Sequence, residues 1–317
     1  MKKSFIFLLL LITFLHDAEA QRIVLSDLKI LRQKEDSLKI LAKNLIVDSL
    51  TEKRMRNDSL FVRSLVRSLQ VKNSFFYPFD SVKGISNVYA PDSSFRIFSW
   101  SLSIDDFYSR QRGAIQYKTA DGSLKLVPLR DYSEFTDKPT DSIRTKDNWI
   151  GAVYYKIIKN QYNGKNYYTL FGFDDNTVRS SKKWIDVLTF DSRNLPLFGG
   201  TFSFEKDTAK RKPQSRYFIE YKKEASSYLN FDPEMNMILV DHFHSETEEP
   251  EKAYTLVPDG DYEGFEWKGG KWVHVDKVFN QKLEDGEAPV PEPLLDARGN
   301  ENEGKLNQQS DKNKRSK

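Results

Sequence analysis

The chain of 317 residues contains no cysteine. That absence excludes disulfide staples, thiolate-bound zinc and cysteine nucleophiles together. Histidine is scarce, with four in all. There is no Gly-x-Ser-x-Gly elbow and no Gly-x-x-x-x-Gly-Lys-Ser/Thr loop, so the local signatures of serine hydrolases and P-loop nucleotide binding are missing. A strong charge of one sign is missing too. The 49 basic residues face 46 acidic ones, a balance that argues against nucleic-acid binding through the overall field. Strands and helical stretches do not alternate as βαβ units, and no blade-length repeat marks a propeller. A fold without covalent staples must be held by its core, and a chain of this length can bury enough apolar surface to do so.

What is present begins with residues 1–20. Lys2 and Lys3 precede an apolar run from Phe5 to Leu15, and Ala18-Glu19-Ala20 supplies the small-x-small pattern that a signal peptidase accepts. The run is short of the roughly 20 residues that span a bilayer as a helix. These features predict a signal peptide cleaved near Ala20 and a periplasmic or secreted mature protein. With no cysteine after the run, a lipoprotein is not expected.

Residues 21–73 read as a basic amphipathic helical segment. They lack Pro and Gly, apolar residues recur at three- and four-residue steps, and the twelve Lys/Arg of 21–72 outnumber six Asp/Glu. A loose repeat (Ser26-Asp27-Leu28, Asp36-Ser37-Leu38, Asp48-Ser49-Leu50, Asp58-Ser59-Leu60) suggests capped breaks between two or three helices, although one long helix also fits, and Ser49 with Glu52 fits a capping box. The apolar stripe needs a cover: the following domain, another helix as in a coiled coil, or a second copy. Contact of 21–73 with an anionic membrane surface is the other reading of its charge.

Residues 74–280 are rich in aromatics and turn signals, and all fifteen Tyr and five Trp lie between Tyr77 and Trp272. Asp121-Gly122, Asn163-Gly164 and Gly269-Gly270 signal hairpins. The expected fold is mainly β: an antiparallel meander, sandwich or barrel-like domain preceded by helices. An outer-membrane barrel fits less well, because Trp149 to Gln161 and Lys182 to Asp191 do not alternate apolar and polar faces cleanly. Residues 281–317 carry a proline-rich spacer and a polar end, too poor in apolar surface to order themselves.

Two stretches resemble metal sites. Asp259, Asp261 and Glu263 alternate through Asp-Gly-Asp-Tyr-Glu-Gly as in the opening of a calcium loop. The acid that should close such a loop eleven residues on is Gly270, and a surface turn followed by a strand from Tyr262 is the plainer reading. His242 and His244, two apart on a strand, point the same way and offer a pair of zinc ligands. Adding His274 would require neighbouring strands, and a polar strand face is the plainer reading here as well. The acid pairs Asp105-Asp106 and Asp174-Asp175 are expected to cap turns, with paired-carboxylate hydrolysis as the alternative. Tyr154, Tyr155, Tyr167 and Tyr168 place one ring of each pair on each strand face, so some could stack on sugar, while core packing explains most aromatics.

Trp149-Ile-Gly-Ala-Val-Tyr-Tyr-Lys156, Tyr167-Tyr-Thr-Leu-Phe-Gly-Phe-Asp174, Lys183-Trp-Ile-Asp-Val-Leu188, Pro258-Asp-Gly-Asp-Tyr-Glu-Gly-Phe-Glu-Trp267 and Lys271-Trp-Val-His274 resemble a family of uncharacterised exported proteins from Gram-negative bacteria. The resemblance spans about Ser74 to Asn280 and implies export, with no activity to transfer. The leading expectation is a non-catalytic envelope protein that binds a protein partner or a cell-wall glycan. The alternatives are an exported hydrolase of glycan or peptide, and a β module for a metal or small ligand. No cofactor is expected, calcium or zinc being the minor possibilities at the sites above.

Overall fold

A computed structural model describes residues 23–205, 207 and 211–279. The expected leader over 1–20 and tail over 281–317 lie outside the described residues. Helices and sheets belong to one unit, Met1–Val278, and Phe279–Lys317 form a second.

Two helices come first, α1 over Leu25–Val47 and α2 over Thr51–Leu69. Their inward residues follow the helical period: Leu31, Leu38, Ala42 and Leu45 on α1, and Asp58, Phe61, Leu65 and Leu69 on α2. Only the Asp48-Ser49 repeat marks a break. There Asp48 Oδ1 accepts the Leu50 amide at 3.1 Å, and the Arg54 guanidinium donates to the carbonyls of Asp48 and Ser49. The Ser49–Glu52 capping box does not form, since no side chain caps α2. Ser37 and Ser59 sit inside the helices and bond back to the carbonyls of Gln33 and Met55, which is how a helix interior accommodates serine.

Fifteen strands follow among the described residues, in three sheets. The first holds β1 (Ser86–Tyr89), β2 (Phe95–Ser103), β3 (Ser109–Tyr117) and β4 (Lys125–Arg130), in that order. The second holds β5 (Arg144–Thr145), β6 (Val153–Tyr162), β7 (Lys165–Asp174), β8 (Ser180–Phe190), β9 (Pro196–Phe198) and β11 (Tyr217–Lys222). Its order is β5-β9-β8-β7-β6, with β11 also paired to β8. The third holds β10 (Phe202–Ser203), β12 (Leu229–Asp232), β13 (Met237–Ser245), β14 (Leu256–Lys268) and β15 (Lys271–Val275), in the order β10-β15-β14-β13-β12. All pairings are antiparallel except β10 with β15. None of these sheets closes into a barrel.

The period-2 alternation of strands turns the sheets into layers. On β2, Phe98 and Trp100 face the helices, joining Leu38, Leu45, Phe61 and Leu65 in one core. The helical stripe is therefore covered by the chain's own first sheet. Phe95 and Ile97 face the other way, where they meet Tyr168, Leu170, Trp184 and Leu188 of the second sheet. The far side of that second sheet sends Phe171, Ile185 and Val187 against Ile238, Val240, Phe265 and Trp272 of the third. The order of layers is thus helices, first sheet, second sheet, third sheet. The middle sheet is covered on both faces, which is why β8 shows no alternation of buried and exposed residues, its polar Ser180, Ser181, Asp186 and Thr189 being buried with the apolar ones.

Buried charges tie the layers together. Asp58 on α2 accepts Trp100 Nε1 at 2.9 Å and Arg112 of β3 at 2.7 Å. Arg96, fully buried, donates at 2.6 to 2.9 Å to Gln116, to the Tyr89 hydroxyl and to the carbonyls of Tyr77 and Ser74.

Two of the hairpin signals form two-residue turns, Asn163-Gly164 between β6 and β7 and Gly269-Gly270 between β14 and β15, with positive φ at both positions of each. Asp121-Gly122 lies in a longer loop between Tyr117 and Lys125. Ala253–Thr255 form a 3-10 turn, and Leu256–Val257 and Tyr262–Trp267 belong to the single strand β14. The intervening Asp259-Gly260-Asp261 forms a bulge opposite His242, with Gly260 at φ +93.

Candidate functional site

The site with the most chemistry is a cleft of about 500 Å³ at one end of the seam between the first and second sheets. Five separate segments build it. The β2–β3 hairpin brings Phe107, Tyr108 and Gln111. The 3-10 turn Ser133–Phe135 and the loop after it bring Ser133, Glu134 and Asp137. Ile150 lies in the floor. The end of β7, the loop after it and the start of β8 bring Asp174, Asn176, Lys182 and Trp184, and β11 brings Phe218.

Local hydrogen bonds fix these parts. Asp105 Oδ1 accepts the amides of Phe107 and Tyr108 at 2.8 and 2.9 Å, shaping the hairpin tip. The Val178 amide donates to the Asp106 carbonyl at 3.0 Å and joins that tip to the β7–β8 loop. Asp131 accepts the Gln111 amide at 2.8 Å and caps the 3-10 turn through Ser133. Trp184 and Phe218 pack as tilted rings 4.7 Å apart. Phe107, by contrast, is 72% exposed at the rim.

Asp174 is the titrating group of this cleft. Its Oδ1 accepts Gln111 Nε2 at 2.9 Å and the Asn176 amide at 3.0 Å. Burial pushes its pKa up to about 6, and the Asn176 bond and the charge of Lys182 only partly oppose this, while Asp131 and Asp175 add to it. The acid pairs thus do cap turns, through Asp105 and Asp174, and burial sets Asp174 apart by raising its pKa. Two further atoms stand out. Gln111 Oε1 and Trp184 Nε1 are buried and have no hydrogen-bond partner among the described residues. One is an acceptor and the other a donor, each costly to leave unmet.

A charge kept where burial opposes it destabilises the fold. Asp174→Asn is expected to stabilise the protein by about 1–2 kcal/mol at pH 7.5, the upper limit of a two-unit shift being reduced by solvent screening. In the wild type the cost is present above pH 6 and vanishes below the unfolded value near 3.8. At pH 3 the two proteins should therefore melt together. Thermal melts at the two pH values check this.

The residues singled out in the sequence are distributed elsewhere. His242 Nδ1 lies 2.6 Å from Asp259 Oδ2 on the exposed face of the β13–β14 bulge. Asp261 pairs with Lys277 at 3.1 Å. His244 is also exposed, in register with Val257. Glu263 points inward to His274, away from that exposed pair. His274 is on β15, separated from β13 by β14 and opposite Phe265, so the three histidines are not brought together. Among the described residues no group of three or more acids and histidines is placed to hold a metal ion.

Of the tyrosines, Tyr154 and Tyr168 are buried. Tyr154 accepts Trp149 Nε1 at 2.8 Å, and Tyr168 donates to Asp92 at 2.8 Å. Tyr155 is 40% exposed, with its hydroxyl bonded to the Leu229 carbonyl. Tyr167 packs against Trp267, 5.3 Å away. The four rings make no common stacking face.

A second buried polar cluster joins the third sheet to the strand before it. His274 bonds through Nδ1 to Asp207 at 2.7 Å and through Nε2 to Glu263 at 2.9 Å. Tyr217 donates to the other oxygen of Glu263. Arg211 pairs with Asp207 at 2.7 Å, and its Nη2 lies 3.3 Å from the imidazole.

Comparison of the chain with protein-family models, with curated proteins and with solved structures returns no match. No described helix is long and apolar enough to cross a membrane.

Proposed function

We propose that this chain is a non-catalytic exported protein of the cell envelope whose sheet-end cleft binds a glycan. The observation that carries the reading is a cleft of about 500 Å³ in which the rings of Phe107, Tyr108 and Phe218 stand beside the polar side chains of Ser133, Glu134, Asn176 and Lys182. A sugar offers hydroxyls that donate and accept at one edge and C–H faces that lie against rings, and pockets of a few hundred Å³ with a few convergent polar groups are the usual form of small-ligand sites. The leader-like residues 1–20 support export to where such glycans occur, as does the resemblance to exported proteins.

Titration with chitotetraose and with wall-derived disaccharide peptides, followed by tryptophan fluorescence and by amide NMR shifts, tests the reading. Binding should shift the amides of Gln111 and Asn176, and Phe107→Ala should weaken it about three- to tenfold without loss of stability. Saturating sugar that leaves those amides in place would sink the reading.

The raised pKa of Asp174 favours a second reading, a hydrolase in which it serves as general acid. Chromatography of the same fragments after long incubation separates the two, since only the hydrolase releases shorter products and loses them in Asp174→Asn.

A further inference from the structure

α1 and α2 lay their apolar stripes on the first sheet, which leaves each helix with an outward face. On α1, Lys29, Arg32, Lys39 and Lys43 are exposed and follow one another at three, seven and four residues. At 3.6 residues per turn that spacing places all four within about 80° of arc. Ile40 and Val47 lie on the same side, 62% and 64% exposed, turned away from the buried Leu31, Leu38, Ala42 and Leu45. On α2, the exposed Arg56, Arg63 and Arg67 follow one another at seven and four residues, within about 40° of arc and opposite the buried Phe61 and Leu65. The seam between the helices does not interrupt this positive face. Its groove, about 390 Å³, is lined by Lys34, Arg67 and uncharged residues.

The positive charge of the chain is concentrated here, since outside residues 21–72 acids outnumber bases. Eight Lys and Arg of the two helices are exposed, against the acids Asp36 and Glu52. Among the described residues none of the seven stripe cations has a carboxylate within 4.0 Å. Arg63 donates to the Ser59 carbonyl one turn back. Glu35, four residues before Lys39, is already engaged by the Tyr77 hydroxyl and the Ser81 amide.

What covers this face must carry dense negative charge along α1, about 35 Å at 1.5 Å per residue, and must also accept aliphatic side chains standing among lysines. A second copy brings its own positive face and is repelled. An anionic bilayer meets both demands, because long Lys and Arg side chains reach its phosphates while aliphatic ones enter the acyl boundary. Each basic residue near such a surface adds to the attraction. We propose that the outward face of α1 and α2 docks on anionic phospholipid, with Ile40 and Val47 entering the acyl boundary. The proposal does not rest on the glycan reading, whose cleft takes no residue from either helix.

The probe is a vesicle of phosphatidylglycerol and phosphatidylcholine in equal parts, with pure phosphatidylcholine as the reference. The chain is used from Gln21 onward, so that the apolar residues 5–15 contribute nothing. Cosedimentation at 20 mM salt should show binding to the anionic vesicle, at least tenfold weaker on phosphatidylcholine alone and at least tenfold weaker at 300 mM salt. The quadruple variant Lys29→Gln, Arg32→Gln, Lys39→Gln, Lys43→Gln should lose at least tenfold in affinity with an unchanged melting curve, these side chains being exposed. Ile40→Ser combined with Val47→Ser should lose about threefold or more at low salt. Chitotetraose titrated into the quadruple variant should behave as with the wild type, so failure here and failure of the glycan reading remain distinguishable. Absence of binding to the anionic vesicle at low salt, equal binding to both vesicles, or equal binding by the quadruple variant would overturn the proposal. So would a dimer that the same four substitutions dissociate, because the face would then belong to a second copy.

Discussion

Replacing Arg216 by alanine is expected to lower the unfolding free energy by about 3–5 kcal/mol, the typical cost of breaking a buried ion pair by removing one partner. The melting temperature should fall by roughly 6–15 °C. Arg216 is fully buried just before β11, where Nε donates to Asp186 of β8 at 3.1 Å and the other nitrogens donate to the carbonyls of Pro139, Ser142 and Phe198. One side chain thus holds two stretches of backbone, the Pro139–Ser142 loop and Phe198 of β9, beside Asp186 of the middle sheet. Burial raises the Asp186 pKa, and Arg216 opposes that rise. Without the guanidinium the carboxyl has no countercharge, so the loss should be larger at pH 7.5 than at acid pH, where Asp186 is protonated. Asp186→Ala in the same chain should return part of the loss. Urea titrations of the single and double variants at two pH values test each step.

His274→Phe is the second change with a large expected effect, about 3 kcal/mol near pH 5.5, because it leaves Asp207 and Glu263 without the ring they share. Its signature is in the pH profile. Burial disfavours the charged imidazole, yet hydrogen bonds to Glu263 and Asp207 overcome it and raise the pKa above 6.5. Burial likewise works against the two carboxylates, but their bonds to His274 leave both below their ordinary values. The histidine contribution is complete below 6.5 and is lost as pH rises through the raised value. The acid contributions are complete above 4.5 for Glu263 and 3.8 for Asp207, and are lost as pH falls through the lowered values. All three therefore act together between about pH 4.5 and 6.5. The difference between wild type and variant should be greatest in that window and shrink on both sides. A flat difference from pH 4 to 9 would show that the cluster is held by packing alone.

Much of the architecture was legible. Mainly antiparallel β structure after two helices follows from period, turn residues and aromatic content, and the Asn163-Gly164 and Gly269-Gly270 turns fall where Gly and Asn tolerate positive φ. What escaped did so for physical reasons. β1, β5, β9, β10 and β12 run for two to four residues and carry no alternation of their own; they are strands because a neighbour pairs with them. Asp259-Gly260-Asp261 has turn chemistry, and a bulge uses the same chemistry inside a strand. β8 has no alternation to read because both of its faces are covered. The candidate cleft was the least legible. Asp174 drew notice as one of an acid pair, but Gln111, Trp184, Glu134 and Phe218 have no local motif and come together only across strands distant in sequence.

The third sheet has a temporal consequence. Its outermost strand, Phe202–Ser203, lies parallel to Trp272–Val273, seventy residues later, while the strand pairings of the first sheet all fall within the first 130 residues. On a chain emerging from its amino end, the early layers can form locally and the last layer must wait for β15. Until then the core around Phe202 and Phe265 lacks Trp272 and His274, and a product stopped before Lys271 would present that unfinished surface to proteases and to its own kind.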